Sequence, residues 1–455
     1  MIQPYRAIIY YWHRIFNFLG CILLWPAMSA FGSGIALMEQ SAKEMGQAFS
    51  GAPTNFSDAS TVFFNPAAMS QSESRLLSVA GYVIAPSVNF HNDSSHFGSA
   101  SRSFPLLGND GGNAGNWAFI PNMYYVHPLT NRITLGFGVN TLFGMKNSYN
   151  SDWKGRYQAL DSELKHINFN PSVAFKVTEK FSLGVGFNVQ YMQTTLTNAI
   201  DFGAICVQFR NPSECFSQGA LPQLNDGHVS LKGDSVGFGY NFGAFYALTQ
   251  NFRLGASYRS RVSHDVHSKV DFSVPDNAAM FTRGGQFIDT HAKASVTLPD
   301  NVLFGFSYRI TPHWTLSADA LWTHWSLIRE LRTDFASIQP DDTLTLNWRD
   351  TWRYAFGANY QSESNKWALR SGFAYDQSPV SGAQLRSPRI PDGDRYWLTF
   401  GFTYALSQNI HIHGAYAHLF VGDLAINKQG VSADTLVGHY SEQLNIGGLQ
   451  LDWRF

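Results

Sequence analysis

From Phe181 to Tyr191 every second residue is apolar: Phe181, Leu183, Val185, Phe187, Val189 and Tyr191 alternate with Ser182, Gly184, Gly186, Asn188 and Gln190. Period two puts the two sets on opposite faces of an extended strand. The pattern returns in Val302–Ile310, in Trp314–Trp322 and in Tyr396–Leu406. Several such runs read as longer than an ordinary soluble strand. Arg253, Arg259, Arg261, Arg309, Asp319, Arg353, Arg370 and Asp376 fall on the faces opposite the apolar ones. An arginine facing lipid at mid-bilayer costs ~2–4 kcal/mol, so in a membrane these charges must point into a lumen. A soluble sandwich or propeller would reverse the assignment, with the apolar face as the core.

The strands repeat a hairpin plan. LTNRI (129–133), VTEKF (177–181), LTQNF (248–252), ITPHW (310–314) and LSQNI (406–410) each place polar turn formers between an apolar residue and the start of an alternating run. ESNKW (363–367) is a variant. Strands are predicted near 75–90, 116–128, 132–146, 163–178, 181–200, 228–249, 252–273, 291–311, 314–335, 345–362, 367–380, 395–407, 410–428 and 438–455. Short turns alternate with long loops at 91–115, 147–162, 201–227, 274–290, 336–344, 381–394 and 429–437. That arrangement predicts an all-β, 14-stranded antiparallel transmembrane barrel. Composition agrees: of 455 residues 15% are aromatic and only 14% charged, and many of the 39 glycines lie inside strands, where a crowded inner wall would need them. A net charge of −1 does not point to nucleic acid.

Residues 1–32 read as a signal peptide, with Arg6 and Arg14 ahead of the apolar stretch IFNFLGCILLW and cleavage after Ala30 or Gly32. Export implies an oxidising compartment, where Cys206 and Cys215 are expected to form a local disulfide; two free thiols are the alternative. Residues 33–74 do not alternate. Their apolar content predicts burial as a plug inside the barrel of 75–455 rather than a flexible leader. The ending LQLDWRF resembles the C-terminal strand signal of bacterial outer-membrane barrels, which implies delivery to the barrel assembly machinery.

SGIALMEQSAKEMGQAFSG followed by DASTVFFNPAAMS resembles the N-terminal hatch of the FadL family of outer-membrane long-chain fatty acid transporters. Asn65-Pro66-Ala67 matches the family's NPA motif, and Trp153-Lys154-Gly155-Arg156-Tyr157 and Asn170-Pro171-Ser172 resemble its loop and strand sequences. The resemblance covers about residue 33 to Phe455. It implies a barrel plugged by its hatch, with a kinked third strand that opens the wall sideways, here at Asn140, Phe143 and Gly144. It also implies passive transport: capture on extracellular loops, transfer to a pocket beside the hatch, and lateral release.

The loop candidates for capture are Phe202, Phe209, Phe216 and Leu221 in 201–227, and Met280, Phe281 and Phe287 in 274–290. A carboxylate head group would pair with Arg259, Arg261 or Arg309. Expected partners are a long-chain fatty acid or another hydrophobic small molecule, outer-membrane lipid and lipopolysaccharide; the barrel is expected to be a monomer in the Gram-negative outer membrane. Aromatic or alkane uptake, and an adhesin that displays its loops, are the competing functions. No catalytic residue, cofactor or metal is expected. Gly233-Asp234-Ser235-Val236-Gly237 matches a hydrolase motif but lies within an alternating run, and His411 with His413 lacks a third ligand.

Overall fold

The computed structural model describes residues 34–99 and 102–455; the expected signal peptide lies outside the described residues. Fourteen strands close into one antiparallel barrel. They are β1 (Leu76–Asn92), β2 (Ala118–Pro128), β3 (Ile133–Asn140 and Met145–Ser148), β4 (Asp161–Lys176), β5 (Phe181–Asp201), β6 (Asp226–Ala247) and β7 (Phe252–Arg259 and Val262–Ser273). Then follow β8 (Thr290–Leu298 and Asn301–Arg309), β9 (Trp314–Thr323 and Glu330–Phe335), β10 (Asp342–Thr345 and Thr351–Gln361), β11 (Trp367–Asp376), β12 (Arg395–Ala405), β13 (Ile410–Val421 and Leu424–Gln429) and β14 (Asp434–Arg454). Each lies within a few residues of its predicted span. β1 pairs with β14 from Leu76↔Arg454 to Asn92↔Gly438 and with β2 on its other edge, which seals the ring.

The apolar face of each strand points outward. Phe187, Phe238, Phe304, Phe400 and Leu449 are exposed in the middle of the wall, as a lipid-facing band requires. Aromatic rings gather at both rims. Trp314–Tyr360, Tyr360–Trp367 and Trp453–Phe455 have centroids 5.1, 5.5 and 4.8 Å apart at the short-turn end. Tyr240–Tyr258, Trp352–Tyr354 and Tyr375–Tyr396 stand at 6.2, 5.9 and 5.2 Å on the long-loop side. Ring edges that are half wet and half greasy favour these two interfaces.

One lumen assignment needs correction. Ser260 and Arg261 interrupt β7, and the inward set changes there from Arg253, Gly255, Ser257 and Arg259 to Val262, His264, Val266 and Ser268. An extra residue in a strand resets its alternation. Arg261 therefore stands outside, with its side chain 53% exposed and 3.7 Å from Asp300.

The segment before β1 fills the bore. Two short helices, α1 (Ala42–Met45) and α2 (Thr61–Phe64), and 3₁₀ turns at Ala52–Thr54 and Pro66–Gln71 are almost wholly buried. Asn65 begins the last turn: its side chain accepts from the Ala67 N–H and donates to Pro53 O at 2.7 Å and, on β6, to Ala244 O at 2.9 Å. The NPA triplet thus ties hatch to hatch and hatch to wall. Other ties run from Ser50 to Ser317 at 2.8 Å, from Thr54 to Ser307 at 3.0 Å and from Ser70 to Ser182 at 2.7 Å. The glycine-rich wall has its reason here. A Cβ on Gly184 would lie 2.4 Å from Ala67 N, and one on Gly243 would lie 2.0 Å from Asn65 Oδ1.

Candidate functional site

The hatch begins at one defect of the wall. The β3 ladder stops at Asn140 and resumes at Met145. Pairing to β2 ends at Met123↔Val139, and pairing to β4 jumps from Asn140↔Asn168 to Met145↔Leu164. The four residues between turn inward: Leu142 and Phe143 are buried, and the Phe143 ring meets Trp325 edge-on at 6.4 Å. The hatch supplies the ladder that the wall does not. Leu37 N donates to Leu142 O at 2.8 Å and Gly144 N to Ile35 O at 2.9 Å, around the bridge Ala36↔Phe143. Gln40 fastens the next turn, donating to Thr141 O at 2.7 Å and accepting from Tyr124 at 2.7 Å and Asn140 at 2.9 Å.

On the long-loop side of the hatch the lumen carries an apolar cluster, with Trp325, Trp348, Trp397, Ile328 and Val380 buried together. A small cavity of about 50 Å³ lies beside the hatch, between Met38, Phe63 and Phe64 and the wall residues Tyr258, Arg259 and Leu303. That is room for a few waters at most. Arg259 is the only one of the three expected head-group partners that faces this space. It lies 4.5 Å from the Phe63 ring centroid and donates to Phe63 O at 2.9 Å and Asn188 at 2.8 Å. Arg309 instead lines a polar recess of about 350 Å³ on the short-turn side, with Arg253, Arg370 and Lys43.

Charge in the hatch is not uniform. Lys43 and Asp58 pair at 3.1 Å. Burial alone would raise the Asp58 carboxyl, but Lys43, Ser60 and Asn55 bring it down to about 2. Glu39 is different. It is fully buried, no other residue donates to its carboxylate, and burial pushes it up to about 7 against its own backbone N–H and the pull of Arg395 and Arg353.

The extracellular loops hold together around three structures. Loops 201–227 and 274–290 meet where Phe202 packs against Phe281 and Phe287, at 6.2 and 5.0 Å. Phe202 was expected among the exposed loop residues; it is instead the buried pivot of this contact. Phe209, Phe216 and Leu221 remain exposed, and Met280 is half-buried. Cys206 and Cys215 are joined and link the helices α3 (Phe202–Phe209) and α4 (Pro212–Ser217).

Arg156 of the WKGRY loop bonds Asp226 at 2.6 Å, Leu107 O at 2.8 Å and Gln223 O at 3.0 Å. It thereby draws a third loop, with exposed Phe104 and Leu107, beside exposed Leu224. The segment 378–394 crosses the mouth: Arg389 reaches Ser162 at 3.1 Å and Asn198 at 3.0 Å on the far wall, while Asp392 accepts from Gly34 N at 3.1 Å. Neither Glu39, Gln40 nor the 378–394 bridge was singled out from the sequence; the charge-rich SPRIPDGDR run was the one signal of the latter.

Two motifs have structural roles. Ser235 lies mid-strand in β6, 2.9 Å from His264, with no helix following to form a nucleophile elbow. His413 is held between Thr403 and Asp452, both at 2.7 Å.

A closed barrel with an apolar exterior, a filled bore and a break in β3 covered by its own leading segment is a plugged outer-membrane transport channel, not an enzyme and not an open pore. Residues 23–455 match the model of the outer membrane protein transport protein family (OMPP1/FadL/TodX), and the chain belongs to that family. It is 28% identical over 467 residues to outer membrane protein P1 of Haemophilus influenzae, covering 96% of this chain and 99% of the relative. It is 29% identical over 419 residues to the long-chain fatty acid transport protein of Escherichia coli K12, covering 88% and 90%. The crystal structure of a Pseudomonas aeruginosa FadL homologue superposes with a TM-score of 0.83 at 24% identity, covering 93% of this chain and 100% of that one. Family members carry fatty acids and hydrophobic aromatic compounds across the outer membrane.

Proposed function

We propose that this protein passively imports long-chain fatty acids through the outer membrane and releases them sideways through the break in β3. The observation that carries the reading is the strap Ile35–Leu37, which covers residues 141–144 by two backbone hydrogen bonds and can leave without breaking the barrel. A chain of sixteen carbons gains roughly 12 kcal/mol by staying out of water, so an aqueous pore would serve it poorly. Exposed Phe209, Phe216, Leu221, Phe104 and Leu107 offer a first landing surface at the loops. The apolar cluster around Trp325, Trp348 and Trp397 then leads to the hatch. The cavity beside Phe63 is too small for a long chain, so entry requires Met38, Phe63 and Phe64 to move. Motion of the same segment uncovers the break.

The test locks the strap. Ala36 and Phe143 are a non-hydrogen-bonded pair, the spacing that suits a cross-strand disulfide. Ala36→Cys/Phe143→Cys should stop uptake of labelled oleate under oxidising conditions and regain it on reduction. Undiminished uptake through the locked protein would exclude the lateral path. Labelled toluene, run in parallel, separates the fatty acid reading from aromatic uptake.

A further inference from the structure

The polar recess of about 350 Å³ on the short-turn side lies inside the bore, between the hatch and an arc of the wall that runs from β7 to β11. Phe56 of the hatch is the one bulky apolar side chain that lines it, and Glu44 is the one acid. Lys43, Arg253, Arg309 and Arg370 are its cations. Two of these have partners. Lys43 pairs with Asp58 at 3.1 Å and stands 3.7 Å from Glu44. Arg370 donates to Thr403 at 2.6 Å and shares the recess with Glu44. Arg253 and Arg309 make no hydrogen bond and no ion pair among the described residues. Asp58 and Glu44 cannot offset all four cations, so the recess keeps a surplus of positive charge.

Strand register sets the two unpaired arginines side by side. Arg253 on β7 lies opposite Ser307 on β8, and Arg309 follows Ser307 two residues later on the same lumen face. Diagonal positions of this kind are about 7–8 Å apart, which lets two long side chains close on one group between them. Arg253 is also aimed. Its guanidinium lies over the Phe56 ring, 4.6 Å from the centroid, and Phe56 is itself held edge-on by Phe245 of β6 at 6.1 Å. Stacking occupies the face of the guanidinium and leaves the N–H donors around its edge free. Like charges this near repel each other, and an anion between them turns the repulsion into attraction.

We propose that this recess binds a phosphate group, free or as a small water-soluble phosphomonoester, that enters from the periplasmic side. The charges match: such a group carries about −1.5 to −2 at neutral pH and three acceptor oxygens, against two guanidinium groups with no acid of their own. Each guanidinium fork can take a pair of those oxygens. A carboxylate brings one charge and fills one fork. A fatty acid also needs an apolar wall along its chain, and Phe56 alone does not make one. A phospholipid head group is anchored in the leaflet outside the barrel, whereas the recess opens within it. The site shares no lining residue with the cavity beside Phe63, so it is separate from the path drawn above for a hydrophobic chain.

The test titrates inorganic phosphate into the full chain in a neutral detergent at neutral pH, followed by calorimetry, with acetate in parallel. Phosphate should bind about tenfold more tightly than acetate, or better. Arg253→Gln and Arg309→Gln should each weaken phosphate binding by about tenfold, the effect of losing one charge-assisted fork. Arg253→Lys should weaken it less, since it keeps the charge and loses the fork. Phe56→Ala removes no charge, yet should cost about threefold because the Arg253 guanidinium loses its platform. Arg261→Gln, on the outer wall, should change nothing. Heat-modifiable migration on a gel checks that each variant is a closed barrel. Absence of phosphate binding overturns the proposal. So does acetate bound as tightly as phosphate, or phosphate affinity indifferent to both glutamine variants. The titration is then repeated in phosphatidylglycerol nanodiscs. Unchanged affinity supports a soluble ligand; affinity abolished there gives the recess to the lipid head group and overturns the proposal.

Discussion

Gly46 of the hatch and Gly401 of β12 meet backbone to backbone: a Cβ on Gly46 would stand 2.8 Å from the Gly401 Cα, and one on Gly401 would stand 2.7 Å from the Gly46 Cα. Neither neighbour is a flexible side-chain end, so neither can give way cheaply. Gly401→Ala should push α1 off the wall at a cost of about 1–3 kcal/mol, typical of overpacking. The strands themselves need not change. The expected outcome is a barrel with normal heat-modifiable migration on a gel but faster protease cleavage within 42–55 and a raised leak of small solutes in liposomes. A variant as tight and as resistant as the parent would show that the hatch is not seated by this contact.

Arg156 joins three loops with one guanidinium. Besides Asp226, Leu107 O and Gln223 O it reaches Tyr157, which itself bonds Asp226 at 2.9 Å. Lysine keeps the charge but cannot match this planar fork. Arg156→Lys should therefore loosen 104–108 and 222–226 by about 1.5–3 kcal/mol, the worth of charge-assisted bonds, while the barrel's melting is unchanged. Hydrogen exchange localised to those loops is the check. Weaker oleate capture should accompany it, because Leu107, Leu221 and Leu224 are brought together by these bonds.

The wall was legible in the sequence because lipid turns the usual rule outward. Runs such as Phe181–Tyr191 show their apolar face without interruption, and the short turns mark one rim. The hatch was legible through its failure to alternate and through Asn65-Pro66-Ala67. What could not be read were meetings between distant residues. Gln40 finds Asn140 across a separation of 100. Asp392 finds Gly34 across a separation of 358. Arg261 was misplaced because one bulge at Ser260–Arg261 shifts every later residue by one face, and no composition signal announces a bulge. Phe202 looked like its exposed loop neighbours; only the docking of loop 274–290 distinguishes it.

The Cys206–Cys215 link closes a short loop, with a sequence separation of 9. Chain-entropy reasoning assigns it about 2–3 kcal/mol of local stability. Neither α3 nor α4 has more than eight residues, too few to persist unaided. Reduction should let both fray and permit proteolytic nicking between 207 and 220. The closed barrel should survive, because no wall contact depends on the link. Mass spectrometry of the fragments before and after reductant decides it; an unchanged cleavage pattern would mean that packing around Ala220 and Phe281 suffices without the covalent bond.

Glu39 gives the strap a pH dependence whose sign follows from its two environments. Docked, its carboxyl is raised by burial to about 7; undocked it would return to the ordinary 4.5. The docked form therefore holds its proton more tightly. Docking is strongest below about pH 4.5, weakens as pH rises through about 7, and then levels off. The span amounts to something on the order of 2–4 kcal/mol. The groups that face Glu39 are Arg395 on β12, Arg353 on β10, Asp376 on β11 and the Tyr82 hydroxyl on β1. At the other end of the hatch, Asp58 is held at about 2, so the stability it contributes is present above about pH 4 and is lost only as pH falls toward 2. Glu44 is also raised by burial, so the Glu39→Gln variant is the needed comparison. Between pH 5 and 8 the amides of Leu37 and Gly144, corrected for intrinsic rate, should exchange progressively faster, while the Ala59 amide, bonded to Ser78 at 2.9 Å, should not. The pH response at Leu37 and Gly144 should vanish in Glu39→Gln. If it persists there, another buried acid governs the strap.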